Sequence, residues 1–511
     1  MSTKPKIGVV GAGAMGRGIV QLFAQSGHAV AVFDSFEGAV PKAVTAVTAM
    51  IEKGVEKKTW TRDQADAIVA RIHPCAQMAE LADCEVVIEA IVEDIAAKQA
   101  LFAQLEGILP ESAILASNTS SLVIAEIAAR CRNPQRVAGL HFFNPVPLMK
   151  VVEVIAAVRT SAETVRTLRA LVAGTGHRAV VAEDQPGFLV NHAGRGLYTE
   201  GLRVLEERVA TVEDVDTLLR EALGFRMGPF ELLDLTGLDV SGKVMESIYE
   251  QFQHEPRFRP SSLVRPRIAA GLFGRKSGCG WYGYDAAGKS VAATQSRVAG
   301  PLPSGWKVWI DPKADECERL QALVGSAGAL RADTSADADL LIVQPWGWDA
   351  TGYAVAHGLD AGKLVAVDPL PGLDRRRTLM LSTVTNRAVR DAALALLGSD
   401  GVKVTLINDS PGFVLQRILA TIVNIAANIA QRGIASIPDI EDAVKLGLGY
   451  PMGPLSWGDR IGGERILSIL RNLQSQTGDP RYRPSPWLLR RAQLARSLLT
   501  PEAEREESVH A

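Results

Sequence analysis

His141 stands in the run Leu140-His141-Phe142-Phe143-Asn144-Pro145, at the end of residues 137–140, which read as a strand. An imidazole with an ordinary pKa of about 6.5 can take the proton of an alcohol near neutral pH. Removing that proton leaves a cation, so a partner must orient the ring and stabilise the charge. Glu153 is the candidate. It lies in the apolar run 151–155, where an unpaired carboxylate would be costly to bury. On residue type alone, a histidine satisfied by the main chain, with Glu153 at a solvent edge, accounts for the pattern equally well.

Gly11-Ala12-Gly13-Ala14-Met15-Gly16 follows the strand-like residues 7–10 and opens a helical pattern. Gly11 permits a tight turn, Gly13 lets a pyrophosphate approach the backbone, and Gly16 lets helix and strand pack closely. The helix start then offers amide groups to phosphates. Asp34 ends the next strand, eighteen residues after Gly16, where it can accept from ribose hydroxyls. A carboxylate there repels a 2′-phosphate and Ser35 brings no compensating charge, so the cofactor expected is NAD and not NADP. A glycine turn in another α/β fold is the alternative.

These residues need a scaffold. Residues 7–10, 29–33, 86–91, 113–116, 137–140 and 151–155 read as strands, with helical stretches such as 16–25 and 95–106 between them. Such alternation predicts a parallel sheet covered on both faces, with ligands bound at its strand ends. After Pro186 the strand signals stop, and 188–207 and 212–223 read as helices. Pro186-Gly187-Phe188 recurs as Pro411-Gly412-Phe413 and Met227-Gly228-Pro229 as Met452-Gly453-Pro454, both at an offset of 225. The motif at Pro256 recurs at Pro480, so the helical unit is duplicated. Strand-like runs at 307–310, 340–343 and 364–367 predict a small α/β layer before the second copy, with a linker at 299–305 and a frayed acidic tail after Pro501. The domains expected are 1–184, 185–285, 300–403 and 404–495.

The 511 residues carry 55 Lys and Arg against 57 Asp and Glu, so no global field favours nucleic acid or an anionic membrane. A hydrophobic fraction of 47% with 22% charged residues argues against disorder. The greasy stretch 418–430, with Ile418, Ile422, Ile425 and Ile429 on one face, is too short to span a bilayer. No apolar signal core precedes Ile7, which makes a cytoplasmic protein the expectation. Five scattered cysteines without a CxxC pair exclude a disulfide scaffold, and no metal site is expected.

Six motifs occur in order: the glycine loop, Glu89-Ala-Ile-Val-Glu93, Ser117-Asn118-Thr119-Ser120-Ser121, His141-Phe-Phe-Asn-Pro, Pro186-Gly-Phe-Leu-Val-Asn191 and Met227-Gly-Pro-Phe-Glu-Leu. Together, over residues 5–285, they resemble the L-3-hydroxyacyl-CoA dehydrogenase family. The tandem second helical copy is similar to the bacterial branch acting on 3-hydroxyadipyl-CoA in phenylacetate catabolism. Enzymes of 3-hydroxybutyryl-CoA and of fatty-acid β-oxidation are its relatives.

The resemblance implies an α/β Rossmann domain, an all-α C-terminal domain, a degenerate α/β segment and a second all-α copy. It implies that His141 is the general base for the 3-hydroxyl and Glu153 its partner. Ser120 and Asn191 would then hold the substrate oxygen and the acyl-CoA, while Glu93, Lys98, Ser120 and Asn144 lie near the nicotinamide. Lys57, with Lys53 and Lys58 as neighbours, matches a lysine that meets the CoA phosphates. The sequence departs from the family at His192, where an arginine usually follows the asparagine, which puts an ion pair behind the site in doubt. The second half lacks a glycine loop and has Gln416 in place of Asn191, so it is expected to be non-catalytic and to serve as an internal pseudo-partner, with a homodimer as the other possibility. A dehydrogenase of a free hydroxy acid and a crystallin-like structural protein are the competing readings.

Overall fold

Residues 7–10 carry no polar side chain and are buried on both faces, as the centre of a two-sided sheet requires. The computed structural model describes residues 4–290 and 302–503, so residues 299–301 of the expected linker and the tail from 504 on lie outside the described residues. The described chain forms two units, one of residues 1–192 with 433–448 and one of residues 193–432 with 449 onward.

The first unit holds an eight-stranded sheet. Its strands are Ile7–Val10 (β1), Val30–Phe33 (β2), Ile72–Pro74 (β3), Val86–Glu89 (β4), Ile114–Ser117 (β5), Val137–Phe142 (β6), Val151–Ala156 (β7) and Arg178–Glu183 (β8), in the order β3-β2-β1-β4-β5-β6-β7-β8. The expected all-parallel sheet is corrected at one place, because β6 and β7 pair antiparallel. Residues 143–150 between them are too few for a crossover helix, so the chain can only turn back. That register sets His141 directly opposite Glu153. β3 and β8 fall outside the expected strands; β3 is a short edge strand, and β8 has a charged residue at each end of Ala179-Val180-Val181-Ala182.

The helix expected over 188–207 is broken into Val190–Ala193 and Arg195–Glu206. Pro186-Gly187-Phe188 forms a left-handed turn, with φ of 74° at Gly187 and 49° at Phe188; the second copy repeats it with 74° at Gly412 and 52° at Phe413. The helix Ile437–Leu448, from the second copy, belongs to this first unit.

The second unit contains a six-stranded sheet of Lys307–Ile310 (β9), Leu330–Arg331 (β10), Leu340–Val343 (β11), Leu364–Val367 (β12), Arg377–Leu381 (β13) and Val404–Ile407 (β14), ordered β10-β9-β11-β12-β13-β14. Its single antiparallel pair, β12 with β13, repeats that of β6 with β7. The two helical copies meet along Arg195–Glu206 and Leu415–Gln431, so closely that a Cβ on Gly196 would lie 3.0 Å from the backbone N of Ile422. Leu415–Gln431 is buried almost throughout, with Ile418, Ile422, Ile425 and Ile429 among its buried residues, as in a core helix. The helix expected over 212–223 is Val212–Thr217 followed by a π-helical turn, Leu218–Ala222.

At the centre of this helical pair Arg417 is fully buried. It donates to Glu200 at 2.8 Å, Glu207 at 2.7 Å and the Ser410 hydroxyl at 2.9 Å. No helix among the described residues is long and apolar enough to cross a membrane, and none of their His, Cys, Asp and Glu side chains gather in a group of three that could hold a metal.

Candidate active site

The glycine loop joins β1 to the helix Ala14–Gln25. Gly11 takes φ 104°, and a Cβ there would lie 2.5 Å from the Ala90 carbonyl oxygen. One on Gly16 would lie 1.8 Å from the Gly11 oxygen, whereas nothing comes within 4 Å of the Cβ position of Gly13. Packing thus requires two of the glycines, and the third leaves the approach to the helix start open. First-turn amides have no partner inside a helix, and no acidic side chain occupies this first turn, so the cradle fits a pyrophosphate. Asp34 accepts from Ala12 N at 2.7 Å and from Phe36 N at 2.9 Å, which fixes its carboxylate beside the loop.

A cavity of about 360 Å³ opens where β4, β5 and β6 end, lined by Met15, Glu93, Lys98, Ser120, His141 and Asn144 among others. Its shape follows from local capping. Asp94 accepts from Ala97 N at 2.8 Å and starts the helix Ile95–Ile108, which sets Lys98 inward. Lys98 is 1% exposed, in place of a solvated helix face, and sits 2.5 Å from Glu89 Oε1 and 3.4 Å from Glu93 Oε2. Burial raises the Glu93 carboxyl, but hydrogen bonds from Thr119, Ser121 and the Ser120 amide, with the Lys98 charge, outweigh it and hold the group below its usual range.

His141 is paired with a buried carboxylate. Its Nδ1 lies 2.5 Å from Glu153 Oε2. Glu153 is completely buried, and its Oε1 accepts from the amides of Leu189 at 2.9 Å and Val190 at 2.8 Å. The left-handed turn at Gly187 and Phe188 leads into those two amides, which gives the strained backbone at Phe188 a use. Glu153 is therefore a paired carboxylate and not a solvent-edge one. With Nδ1 committed to it, Nε2 is the ring nitrogen left for a ligand. Asn118 Oδ1 accepts from Phe142 N at 2.8 Å, tying the serine-rich loop to the histidine strand.

Other expected residues lie outside this lining. Asn191 directly follows Val190 and is half-buried. Lys57 is exposed beside Lys53 and Lys58 where the helix Ala39–Glu56 ends. His192 is buried, and its amide donates to the Gly187 oxygen at 3.1 Å. Sequence reasoning did not foresee the Glu89–Lys98 pair, with Ser117 Oγ also donating to Glu89 at 2.6 Å. The available signal was an acid closing the otherwise apolar strand Val86–Glu89.

The sequence profile of the 3-hydroxyacyl-CoA dehydrogenase NAD-binding domain matches residues 6–185, and that of the C-terminal domain of the same enzymes matches twice, at 187–284 and 412–498. The chain is 36% identical to a 3-hydroxyadipyl-CoA dehydrogenase of Escherichia coli over 96% of its own length and 97% of that protein. A probable 3-hydroxybutyryl-CoA dehydrogenase of Bacillus subtilis is 39% identical, matching 55% of this chain and 97% of the relative. The crystal structure of a 3-hydroxybutyryl-CoA dehydrogenase from Escherichia coli K12 superposes with a TM-score of 0.84 at 35% identity, covering 96% of this chain and 98% of that one. With a glycine loop shaped for NAD, a duplicated helical domain and matches along both halves, the chain belongs to the 3-hydroxyacyl-CoA dehydrogenase family.

Proposed function

We propose that the protein oxidises (S)-3-hydroxyacyl-CoA to 3-oxoacyl-CoA with His141 as general base. The contact between His141 Nδ1 and Glu153 Oε2, held by two backbone amides, carries this assignment. An ionised Glu153 accepts from Nδ1–H, which leaves the Nε2 lone pair for the proton of the 3-hydroxyl. As the hydroxyl proton moves to Nε2, the C3–O bond becomes a carbonyl, and Glu153 stabilises the imidazolium. NAD+, bound across the glycine loop, supplies the acceptor for the C3 hydride.

Ser120 and Asn191 hold the substrate oxygen and the thioester. Glu93, Lys98 and Asn144 border the nicotinamide half of the cofactor site, and Lys57 meets the CoA phosphates. The substrates we assign are 3-hydroxyadipyl-CoA or the short-chain 3-hydroxybutyryl-CoA, the two that the relatives' names supply. We further assign domains 1–184, 185–285, 300–403 and 404–495, a cytoplasmic location and no nucleic-acid partner.

The test is NADH consumption with acetoacetyl-CoA, run beside NADPH and beside free acetoacetate. Turnover that needs both NADH and the thioester is expected. Equal turnover of the free acid would move the protein to the hydroxy-acid branch, and NADH binding without any turnover would favour a structural role.

A further inference from the structure

The helix Ile437–Leu448 comes from the non-catalytic copy of the repeat, yet it is bound to the sheet that carries Glu153. Glu183 N donates to Ile434 O at 2.9 Å, and Ala182 forms an antiparallel bridge with Ala435. Arg178 on β8 clamps the helix through Asp439 at 2.6 Å and Asp442 at 2.9 Å. At the far end of the helix, Gly447 lies against the active-site shell. A Cβ on Gly447 would lie 2.9 and 3.1 Å from the two methyls of Val190 and 3.5 Å from Val151 on β7. Val190 is completely buried and β-branched, so its χ1 is stiff in a packed surrounding and a displacement passes readily to its backbone. Its amide is one of the two that hold Glu153.

The other copy provides an internal comparison. Ala222 precedes Gly447 by the repeat offset of 225, and its segment lies on the second sheet, where Arg375 donates to the Ala222 carbonyl and Asn408 N to Val209 O. That copy tolerates a Cβ. The glycine occurs in the copy that faces the strand bearing Glu153.

We propose that Gly447 and its helix are a positioning element of the active site, through which the second half of the chain fixes Val190 and thereby the carboxylate that orients His141. This role rests on His141 and Glu153 being the acid–base pair. A bulkier residue at 447 would push the Val190 amide off Glu153 and misalign the imidazole, while the glycine loop, on strands away from this contact, stays intact.

The test uses the full chain with Gly447→Val, Ala222→Val and His141→Gln, measuring 3-hydroxybutyryl-CoA oxidation with kcat referred to NADH-binding sites. Gly447→Val is expected to lower kcat at least fivefold, with the KM for acyl-CoA and the NADH affinity within twofold of wild type. Ala222→Val, which places the same side chain in the matching segment, is expected to leave kcat within twofold. A smaller loss in Gly447→Val, or a matching loss in Ala222→Val, overturns the proposal. If Gly447→Val does not fold, Gly447→Ala takes its place with the same fivefold criterion, since its Cβ already makes the 2.9 Å contact. Normal turnover in His141→Gln would overturn the acid–base pair together with this role, whereas an inactive His141→Gln beside a normal Gly447→Val overturns the positioning role alone.

Discussion

Gln416, on the helix Leu415–Gln431, donates from Nε2 to Asp368 Oδ1 at 2.9 Å, just past the end of β12 and out of reach of solvent. The repeat gives this contact its meaning. Gln416 follows Asn191 by 225 residues, and the register of β13 on β14 sets Thr378 where β7 on β8 has Glu153. Asp368 N donates to Thr378 O at 3.2 Å, so Asp368 holds the cross-strand place of His141. The three positions that read His, Glu and Asn in the first sheet read Asp, Thr and Gln in the second. There the glutamine spends its amide on the protein, since Gly347 N also donates to its Oε1 at 2.8 Å. The scaffold around it survives. Asp409 accepts from Ala350 N and Thr351 N as Asp184, 225 residues earlier, accepts from Ile124 N and Ala125 N.

Burial pushes the Asp368 carboxyl up to about 6. An exposed aspartate ionises near 3.9, so between those values the folded chain keeps a proton that the unfolded chain has lost. A raised acid therefore favours folding at low pH, and its contribution is lost as pH rises through about 6. Asp368→Asn removes the titration. Relative to wild type, the variant is expected to gain about 1–2 kcal/mol more stability at pH 7.5 than at pH 4.5. Urea unfolding at the two values checks this, and a pH-independent difference would contradict it.

The chain should bind one NADH. Strand β9 runs into Asp311-Pro312 and not into a glycine loop, and Asp311 accepts from the Tyr353 hydroxyl at 2.5 Å. A carboxylate there repels phosphate, and the proline has no amide to offer it. Calorimetric titration of the intact chain is expected to give a stoichiometry near one. A second site would show that the other sheet retained a nucleotide cradle.

Glu89 and Lys98 are 0% and 1% exposed, which makes them a fully desolvated pair. Lys98→Met leaves the Glu89 carboxylate with the Ser117 hydroxyl and the Ile91 amide but no counter-charge. The expected loss is about 3–5 kcal/mol of stability. Adding Glu89→Gln should recover much of it, because the stranded charge is then gone. A double-mutant cycle in urea measures both, and additive losses would mean that the pair is not coupled.

The fold was largely legible because its signals are local. Short apolar runs mark the strands, glycines with spacing 11, 13 and 16 mark the turn, and the duplicated Pro-Gly-Phe betrays the repeat. The strand at β7 is legible but its antiparallel direction is not a local signal; it follows from the short connection after Phe142. Strands β8, β13 and β14 escaped because polar residues flank or interrupt their short apolar runs: Arg178 and Glu183 at the ends of β8, Arg377 and Thr378 opening β13, and Thr405 inside β14. Long-range exchange left no local trace: nothing in residues 433–448 announces that they pack on β8. The departure at His192 has a partial account in the repeat. Its counterpart is Arg417, which pairs with Glu200, and the counterpart of Glu200 is Ile425, so one of the two repeat-related places holds an arginine–glutamate pair and the other a histidine and an isoleucine.

Glu153→Gln tests the chemistry with the least change in shape. The glutamine oxygen can still accept from the Leu189 and Val190 amides, which leaves its NH2 facing His141 Nδ1. Two donors cannot share that contact, so Nδ1 must become the acceptor and the proton shifts to Nε2. A histidine protonated at Nε2 cannot take the substrate proton. The expected loss in kcat is about 10³–10⁴-fold, the scale found when an orienting carboxylate is made an amide. NADH affinity should hold within twofold, because the glycine loop and Asp34 are untouched. Stopped-flow single turnover with fluorescence titration of NADH separates the two quantities. A single-turnover rate within tenfold of wild type would remove Glu153 from the proposed mechanism.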